Sequence, residues 1–307
     1  MASPEYSVVT PVYGTAGFLE ELILEIHTVF GQMDLEYEII VIDDNSPDNS
    51  WEVLKKIKSE NNYSLKLVKL SRNFGQHKAT LAGLTLAKGN AAIVMDSDLQ
   101  IHPKEIKKLV DQYEDTKADV VFGTFKKKNH ASWRNMGSKI LGWALRKFGG
   151  LSAFGSSFKL LDGKLIKKIT NAGFEYVYID EMAGWFTENI THTEVEHQSR
   201  KEGKSSYNIF SLFSMASNII INYTALPLKI MTYGGLLTAI SCFFAGLVFI
   251  YRRLVLDVPI GFTATIVILT FGLGLIIFCL GIIGDYLRRI YFIQLQKPSF
   301  SIKQIIE

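Results

Sequence analysis

The stretch AAIVMDSDLQIHP, residues 91–103, runs from five apolar residues into two aspartates separated by a single serine. In extended chain, residues i and i+2 point to the same side, so Asp96 and Asp98 project together beyond the end of a buried strand. Two converging carboxylates repel each other unless a cation lies between them. Oxygen ligands of this kind suit Mg²⁺ or Mn²⁺, ions commonly shared with a substrate diphosphate. An isolated Asp-x-Asp occurs in many loops, so its meaning depends on the segments around it.

Those segments alternate. YSVVTPV (6–12) is a short β-branched run, TAGFLEELILEIHTVFGQM (15–33) has helical apolar spacing, and YEIIVIDDNS (37–46) is a strand ending in acids and turn formers. SWEVLKKIKSEN (50–61) reads as a helix, LKLVKLSR (65–72) as a strand and GQHKATLAGLTLAKG (75–89) as a helix, ahead of the strand that carries the aspartates. HPKEIKKLVDQYEDTKADVVFGTF (102–125) adds another helix and strand. This order predicts an α/β fold of right-handed βαβ units with a mostly parallel sheet and a ligand crevice at the carboxyl ends of its strands. Asp43 and Asp44 close an earlier strand at the same edge as Asp96 and Asp98.

The hydrophobic content, 48% of 307 residues, is concentrated towards the end of the chain. No charged residue occurs from Ile230 to Tyr251 or from Val258 to Gly284. Each run exceeds the roughly 20 apolar residues that cross a bilayer core, a length over which a soluble core helix is rarely uncharged. Two transmembrane helices are therefore predicted, joined by RRLVLD (252–257) into a hairpin with both chain ends on one side. The opening MASPEYSVVTPVYG has no basic segment followed by an apolar one, so the large domain is expected on the cytoplasmic side. Lys229, Arg288, Arg289 and Lys297 flank the runs inside, and Arg252 and Arg253 lie in the outer turn. Cys242 and Cys279 fall within the runs without disulfide or metal spacing and read as packing residues. A net charge of +3 gives no ground for a nucleic-acid partner.

Two further segments suit a membrane surface. KKKNHASWRNMGSKILGWALRKF (126–148) interleaves Trp133, Ile140, Leu141, Trp143 and Leu145 with basic residues, which fits either a solvated face or an amphipathic helix on anionic lipid. SSYNIFSLFSMASNIIINYTALPL (205–228) is uncharged and repeats polar residues at three-to-four spacing, as an interfacial helix does, with Pro227 to end it.

Taken in order, VVTPVYG, EIIVIDDNSPDNSWEVL, LSRNFGQHKATLAGLTLAKGN, VMDSDLQIHPKEI and the late GIIGDYLRRIY resemble the polyprenyl-phosphate glycosyltransferases of glycosyltransferase family 2. That family includes dolichol-phosphate mannose synthase, bactoprenol glucosyl transferase and undecaprenyl-phosphate aminoarabinose transferase. The resemblance implies a GT-A catalytic domain over 1–204, an interfacial helix over 205–228, a transmembrane hairpin over 229–287 and a cytoplasmic tail over 288–307. It implies a bacterial inner-membrane protein, a homo-oligomer, with a nucleotide-diphosphate sugar (UDP favoured, GDP possible) as donor and a polyprenyl phosphate, undecaprenyl phosphate, as acceptor. Pro11 and Tyr13 are then expected to cradle the base or ribose, Asp43 and Asp44 to hydrogen-bond them, and Asp96 and Asp98 to handle ribose and metal, with Asp98 the direct ligand. Gln100 faces the sugar and diphosphate. Arg72 and Gln76 lie at a strand end and helix start, where backbone N–H groups and a guanidinium favour an anion.

Some positions depart from the family. Its DADLQDPP is DSDLQIHP here, so Ile101 replaces a third carboxylate. Its R-x-x-G-E-S-K-Y is RKEGKSSY here, with Arg200 kept, Ser206 at the lysine position and a lysine at 204 instead. Arg200 and Lys204 are expected on the diphosphate, and Lys126 would stand in for an arginine that relatives carry at Phe125.

The implied reaction is an inverting displacement at the anomeric carbon, with the leaving diphosphate stabilised by metal and cations. A phosphate monoester, whose second pKa is about 6, is already a nucleophilic anion at neutral pH, so no strong general base is required. Asp180 and Glu181, in VYIDEMAGW, occupy the place of a base in relatives with hydroxyl acceptors; here they can equally orient SSFKLLD (156–162) or form a buried ion pair. A processive polysaccharide synthase would need more spans and a Q-x-x-R-W signature, and a nucleotidyltransferase a Gly-rich loop after the first strand. A non-catalytic membrane scaffold would have no need of Asp44, Asp96, Asp98 and Arg200.

Overall fold

A computed structural model of the chain describes residues 4–125, 156–172, 178–196, 226–256, 261–294 and 298–307. The central strand β1 (Tyr6–Val12) is buried along all seven residues. On one side it is followed by β2 (Tyr37–Asp43) and β3 (Leu65–Leu70), and on the other by β4 (Ala91–Val94), all parallel. Strands buried on both faces read as unbroken β-branched runs, which is why YSVVTPV and YEIIVID lack apolar-polar alternation. Alternate residues go to opposite layers. Val8, Val12, Ile39 and Val41 pack under α1 (Leu19–Met33), α2 (Ser50–Glu60) and α4 (Ile106–Thr116). Val9, Ile40 and Ile42 pack under α3 (Gln76–Leu86), α5 (Gly163–Asn171) and α6 (Ile179–Phe186). Helix α3 approaches closely because Gly83 lacks a side chain; a Cβ there would lie 2.4 Å from Val9 Cγ1 and 2.5 Å from Ile42 Cδ1.

Beyond β4 the sheet continues through β6 (Lys159–Asp162), β5 (Val120–Phe125) and β7 (Ile190–Val195). At the far edge β8 (Ile302–Ile306) lies against β3, giving the eight-stranded order β7-β5-β6-β4-β1-β2-β3-β8. Of these, β6 and β8 run against the rest. The chain leaves β1 for β2 on one side and reaches β4 on the other, so a topological switch point falls between β1 and β4. Ligand crevices form at such points, outside the carboxyl ends of the strands.

The chain divides into two compact units, one holding this sheet and the other two long helices, α7 (Leu226–Leu256) and α8 (Phe262–Gln294). Within them Leu228–Val248 and Ile268–Arg288, 21 residues each, are long and apolar enough to cross a membrane. At 1.5 Å per residue each covers about 30 Å, the thickness of a hydrocarbon core. Their apolar side chains are exposed, among them Tyr233 at 69% and Phe271 at 70%.

The bounds differ from the expected ones in two ways. Helix α7 begins at Leu226 with Pro227 in its first turn, where a missing N–H costs nothing, and stays helical through Arg252 and Arg253 to Leu256. Arg252 and Arg253, expected in the turn between the apolar runs, thus lie within the helix. The expected tail 288–307 instead continues α8 to Gln294 and ends in β8. That strand covers an edge whose residues Leu67, Val68 and Leu70 are fully buried, and Glu307 pairs with the buried Lys66 at 3.2 Å. Deleting residues 301–307 is expected to cost about 2 kcal/mol through the lost contacts of Ile302 and Ile306, lowering Tm by about 4–8 °C in detergent. The same deletion uncovers a strand edge and should promote aggregation. An unchanged melting curve would show β8 to be energetically idle. The interfacial helix expected over 205–228 and the basic segment 126–148 lie outside the described residues, apart from the start of α7.

Candidate active site

Past the end of β4 burial alternates residue by residue: Met95, Ser97 and Leu99 are buried, and Asp96, Asp98 and Gln100 are half-exposed. The three polar side chains therefore share one side of the chain. Leu99 adopts φ 55°, a left-handed conformation that turns Gln100 back onto the aspartate. Its backbone N–H donates to Asp98 Oδ1 at 3.2 Å and its side-chain amide donates to Asp98 Oδ2. Asp96 accepts from the Gln76 side-chain amide, at the first turn of α3, and from the Ser157 hydroxyl. Burial and the charge of Asp98 hold the Asp96 carboxyl above the usual carboxylate range, against Ser157, Lys159 and Gln76. Between the aspartates, Ser97 Oγ meets Thr15 Oγ1 at 2.8 Å, tying this loop to the one that follows β1.

The ends of β1 and β2 supply the neighbouring wall. Pro11 is buried in β1 opposite Ile42, and Tyr13, just past the strand, is 53% exposed. Asp43 is fully buried; its Oδ1 accepts from Ser46 N at 2.9 Å, and its Oδ2 lies 3.7 Å from Lys69 Nζ. Among the described residues, Asp43 Oδ2 and Thr10 Oγ1 are the two buried side-chain atoms without a hydrogen-bond partner. Buried polar atoms are rarely left unpaired unless a ligand or water completes them. The strand register places Thr10, Val12 and Asp43 on one face of the sheet.

Asp44 accepts from the backbone N–H groups of Phe74 at 2.7 Å and Gly75 at 2.8 Å. Burial raises its pKa, against these two bonds. Two of the N–H groups expected to await a substrate anion at the start of α3 thus serve the protein's own carboxylate. Gly75 permits this with φ +88°. Arg72 is exposed, its guanidinium carbon 4.7 Å from the centre of the Phe74 ring.

Behind Asp96, on the α3 side of the sheet, lies a group that sequence inspection did not assemble. Lys159 stands in β6 in register with Val94 and Phe122, and forms an ion pair with Asp180 in the first turn of α6. The two residues are 3% and 5% exposed, so the pair is a buried one. Of the arrangements open to Asp180 from the sequence, the buried ion pair is present, and its partner lies in SSFKLLD. The His77 ring lies 4.6 Å from that of Tyr178. Burial and the nearby Lys159 charge hold its imidazole below the usual histidine range, against Asp180, and so keep it neutral. A lysine inside the four-residue strand KLLD was the available signal, since a buried cation needs a partner.

Glu181 is 4% exposed, and burial together with the charge of Asp180 pushes its pKa to about 7. The folded state therefore keeps a proton that the unfolded chain loses near pH 4.5, and stability falls as pH rises from about 4.5 to about 7. The loss is about 3 kcal/mol and is complete by pH 8. Glu181→Gln is expected to remove it, so that the variant's Tm exceeds that of the wild type at pH 8 and converges with it at pH 5. Parallel Tm curves across this range would contradict the assignment.

Arg200 and Lys204 lie outside the described residues. Among the described residues no cluster of three or more His, Cys, Asp or Glu side chains is placed to hold a metal ion. Asp96 and Asp98 offer two mutually repelling carboxylates on one side of the chain. That donor set fits a hard divalent cation which takes its remaining oxygens from water and phosphate.

Residues 7–174 match the family described as glycosyl transferase family 2. The chain is 30% identical over 307 residues to an undecaprenyl-phosphate 4-deoxy-4-formamido-L-arabinose transferase of Aeromonas hydrophila, covering 98% of this chain and 93% of that protein. Among solved structures, mannosyl-3-phosphoglycerate synthase from Rubrobacter xylanophilus superposes with a TM-score of 0.52 at 14% identity, over 75% of each chain. Glucosyl-3-phosphoglycerate synthase from Mycobacterium tuberculosis, in complex with Mn²⁺, UDP and glucosyl-3-phosphoglycerate, superposes at 0.51 and 17% identity, over 71% of this chain and 78% of that one. These two establish the GT-A fold.

Proposed function

Because the chain belongs to glycosyltransferase family 2, we propose that it transfers a sugar from a nucleotide-diphosphate donor to undecaprenyl phosphate. The observation that carries this reading is the near end-to-end match, 98% of one chain on 93% of the other, to a relative named for an undecaprenyl-phosphate acceptor. It joins the carboxylate-lined sheet edge and the two apolar helices in one polypeptide.

In this reading the nucleotide lies across the ends of β1 and β2. Tyr13 and Pro11 border the base, and Asp43 Oδ2 and Thr10 Oγ1, which lack hydrogen-bond partners, wait for its polar groups. Asp44 acts through the Phe74–Gly75 turn, keeping Gln76 against Asp96 and Arg72 beside the diphosphate path. Asp96 and Asp98 would hold Mg²⁺ or Mn²⁺, whose Lewis acidity stabilises a leaving diphosphate. Gln100 fixes the orientation of Asp98. Arg200 and Lys204 add cationic charge for the diphosphate or for the acceptor. Asp180 and Glu181 border the sugar and orient it.

The acceptor phosphate oxygen attacks the anomeric carbon as the bond from that carbon to the donor's β-phosphate oxygen breaks. The electron pair leaves with the nucleoside diphosphate. No proton need be removed from an acceptor that is already anionic, so a base at Asp180 or Glu181 is not required. A single displacement inverts the anomeric centre. The two apolar helices anchor the chain in a bacterial inner membrane with the sheet on the cytoplasmic side, where nucleotide sugars are found, and the protein works as a homo-oligomer. UDP is the favoured carrier and GDP the alternative.

Purified full-length protein in detergent, given undecaprenyl phosphate and a panel of UDP- and GDP-sugars, should form a lipid-linked sugar with Mn²⁺ or Mg²⁺ and none with chelator. Nucleotide binding without transfer from any donor would favour a membrane scaffold that kept the fold.

A further inference from the structure

Strand β8 reaches further than the covering of a sheet edge requires. Ile306, Ile305 and Gln304 face Leu67, Val68 and Lys69, and Ile302 faces Leu70, so Lys303 is an extra residue on β8 where the register shifts. In an unbroken strand Ile302 and Ile306, being an even number of residues apart, would share one side. The extra residue reverses this: Ile306 packs with the layer under α1 and α2, and Ile302 with the layer under α3. Bulges of this kind re-aim side chains and recur at sheet edges and beside active sites.

The pairing then continues past the end of β3. Ser71 N–H donates to the Ser301 carbonyl at 2.9 Å, and Phe300 packs against the same apolar layer as Phe74. Ser71 opens the turn that leads to Gln76, the first residue of α3. Within that turn Arg72 lies over the Phe74 ring, the N–H groups of Phe74 and Gly75 are held by Asp44, and the Gln76 side-chain amide donates to Asp96. A path of hydrogen bonds and packed side chains thus runs from β8 through residues 71–76 to Asp96, and contacts of this kind carry coupling between separated positions.

We propose that β8 is a clamp on residues 71–76, with the Ser301 carbonyl and Ile302 holding the turn in the shape that sets Arg72 and Gln76 at the donor site. The proposal rests on the reading of this sheet edge as a nucleotide-sugar site, and it makes Ile302 a positioning residue that acts through the turn. An edge cover needs the bonds to β3 alone. The bond to Ser71 and the packing of Phe300 and Ile302 in the layer of α3 serve the turn instead.

Ile302→Ala and Ile306→Ala make the same change towards the two ends of one strand, both at half-buried side chains. In the full-length protein in detergent they should lower Tm by similar amounts. Titration calorimetry with Mn²⁺ and either UDP or GDP should show Ile302→Ala weakening whichever nucleotide the wild type binds by about fivefold or more, and Ile306→Ala by less than about twofold. Hydrogen exchange without nucleotide should be about fivefold faster or more across residues 71–76 in Ile302→Ala, and unchanged there in Ile306→Ala. Nucleotide affinity lost equally in both variants or in neither, or exchange over 71–76 at the wild-type rate in Ile302→Ala, would overturn the proposal. If the wild type binds neither nucleotide, the sugar-nucleotide reading fails, and the exchange difference alone upholds or overturns the clamp.

Discussion

Asp98→Asn is expected to lower kcat/KM for sugar transfer by at least about 10³-fold, or about 4 kcal/mol of transition-state stabilisation. The loss should fall on kcat, because the affected interaction grows as charge develops on the leaving diphosphate. The amide is nearly isosteric, and Gln100 can still donate to its remaining oxygen, so the fold should survive and Tm should change little. Asp96→Asn should be milder in kcat. Its pKa is raised by burial and by Asp98, and it accepts from Gln76 and Ser157. Activity undiminished by Asp98→Asn, or by chelator, would remove the metal from the account.

The second large effect is on stability. Lys159→Met leaves Asp180 buried without its cation, and Asp180→Leu leaves Lys159 without its anion; each is expected to cost about 3–5 kcal/mol. The double variant, which puts apolar groups at both positions, should recover most of this loss, because two buried charges are removed together. Thermal or denaturant unfolding of the full-length protein would show it as a coupling energy of several kcal/mol, well beyond the about 0–1 kcal/mol of an exposed pair. Additive single losses would mean that the two side chains do not act as a unit.

The parallel half of the sheet was legible because its strands are buried on both faces, which leaves unbroken β-branched runs between amphipathic helices. Asp96 and Asp98 were legible as a pair because i, i+2 geometry is local. The pairing of Lys159 with Asp180 was not, since it depends on β6 running antiparallel between β4 and β5 and on α6 packing above it. Nothing in SSFKLLD or VYIDEMAGW alone specifies that juxtaposition. The structural use of Asp44 escaped for a related reason, because its partners are backbone N–H groups of a loop 30 residues away. β8 was hidden by its context: IKQII is a short, weakly patterned segment after two long apolar helices, and its register on β3 is a tertiary fact.

The central claim concerns which bond breaks. It is tested most directly by identifying the nucleotide released when purified protein consumes a sugar nucleotide in the presence of undecaprenyl phosphate. Attack of the lipid phosphate on the anomeric carbon predicts nucleoside diphosphate, released one for one with a lipid-phosphate sugar of inverted configuration. Release of nucleoside monophosphate with a lipid-diphosphate sugar, or diphosphate release by hydrolysis with no lipid product, would contradict the account.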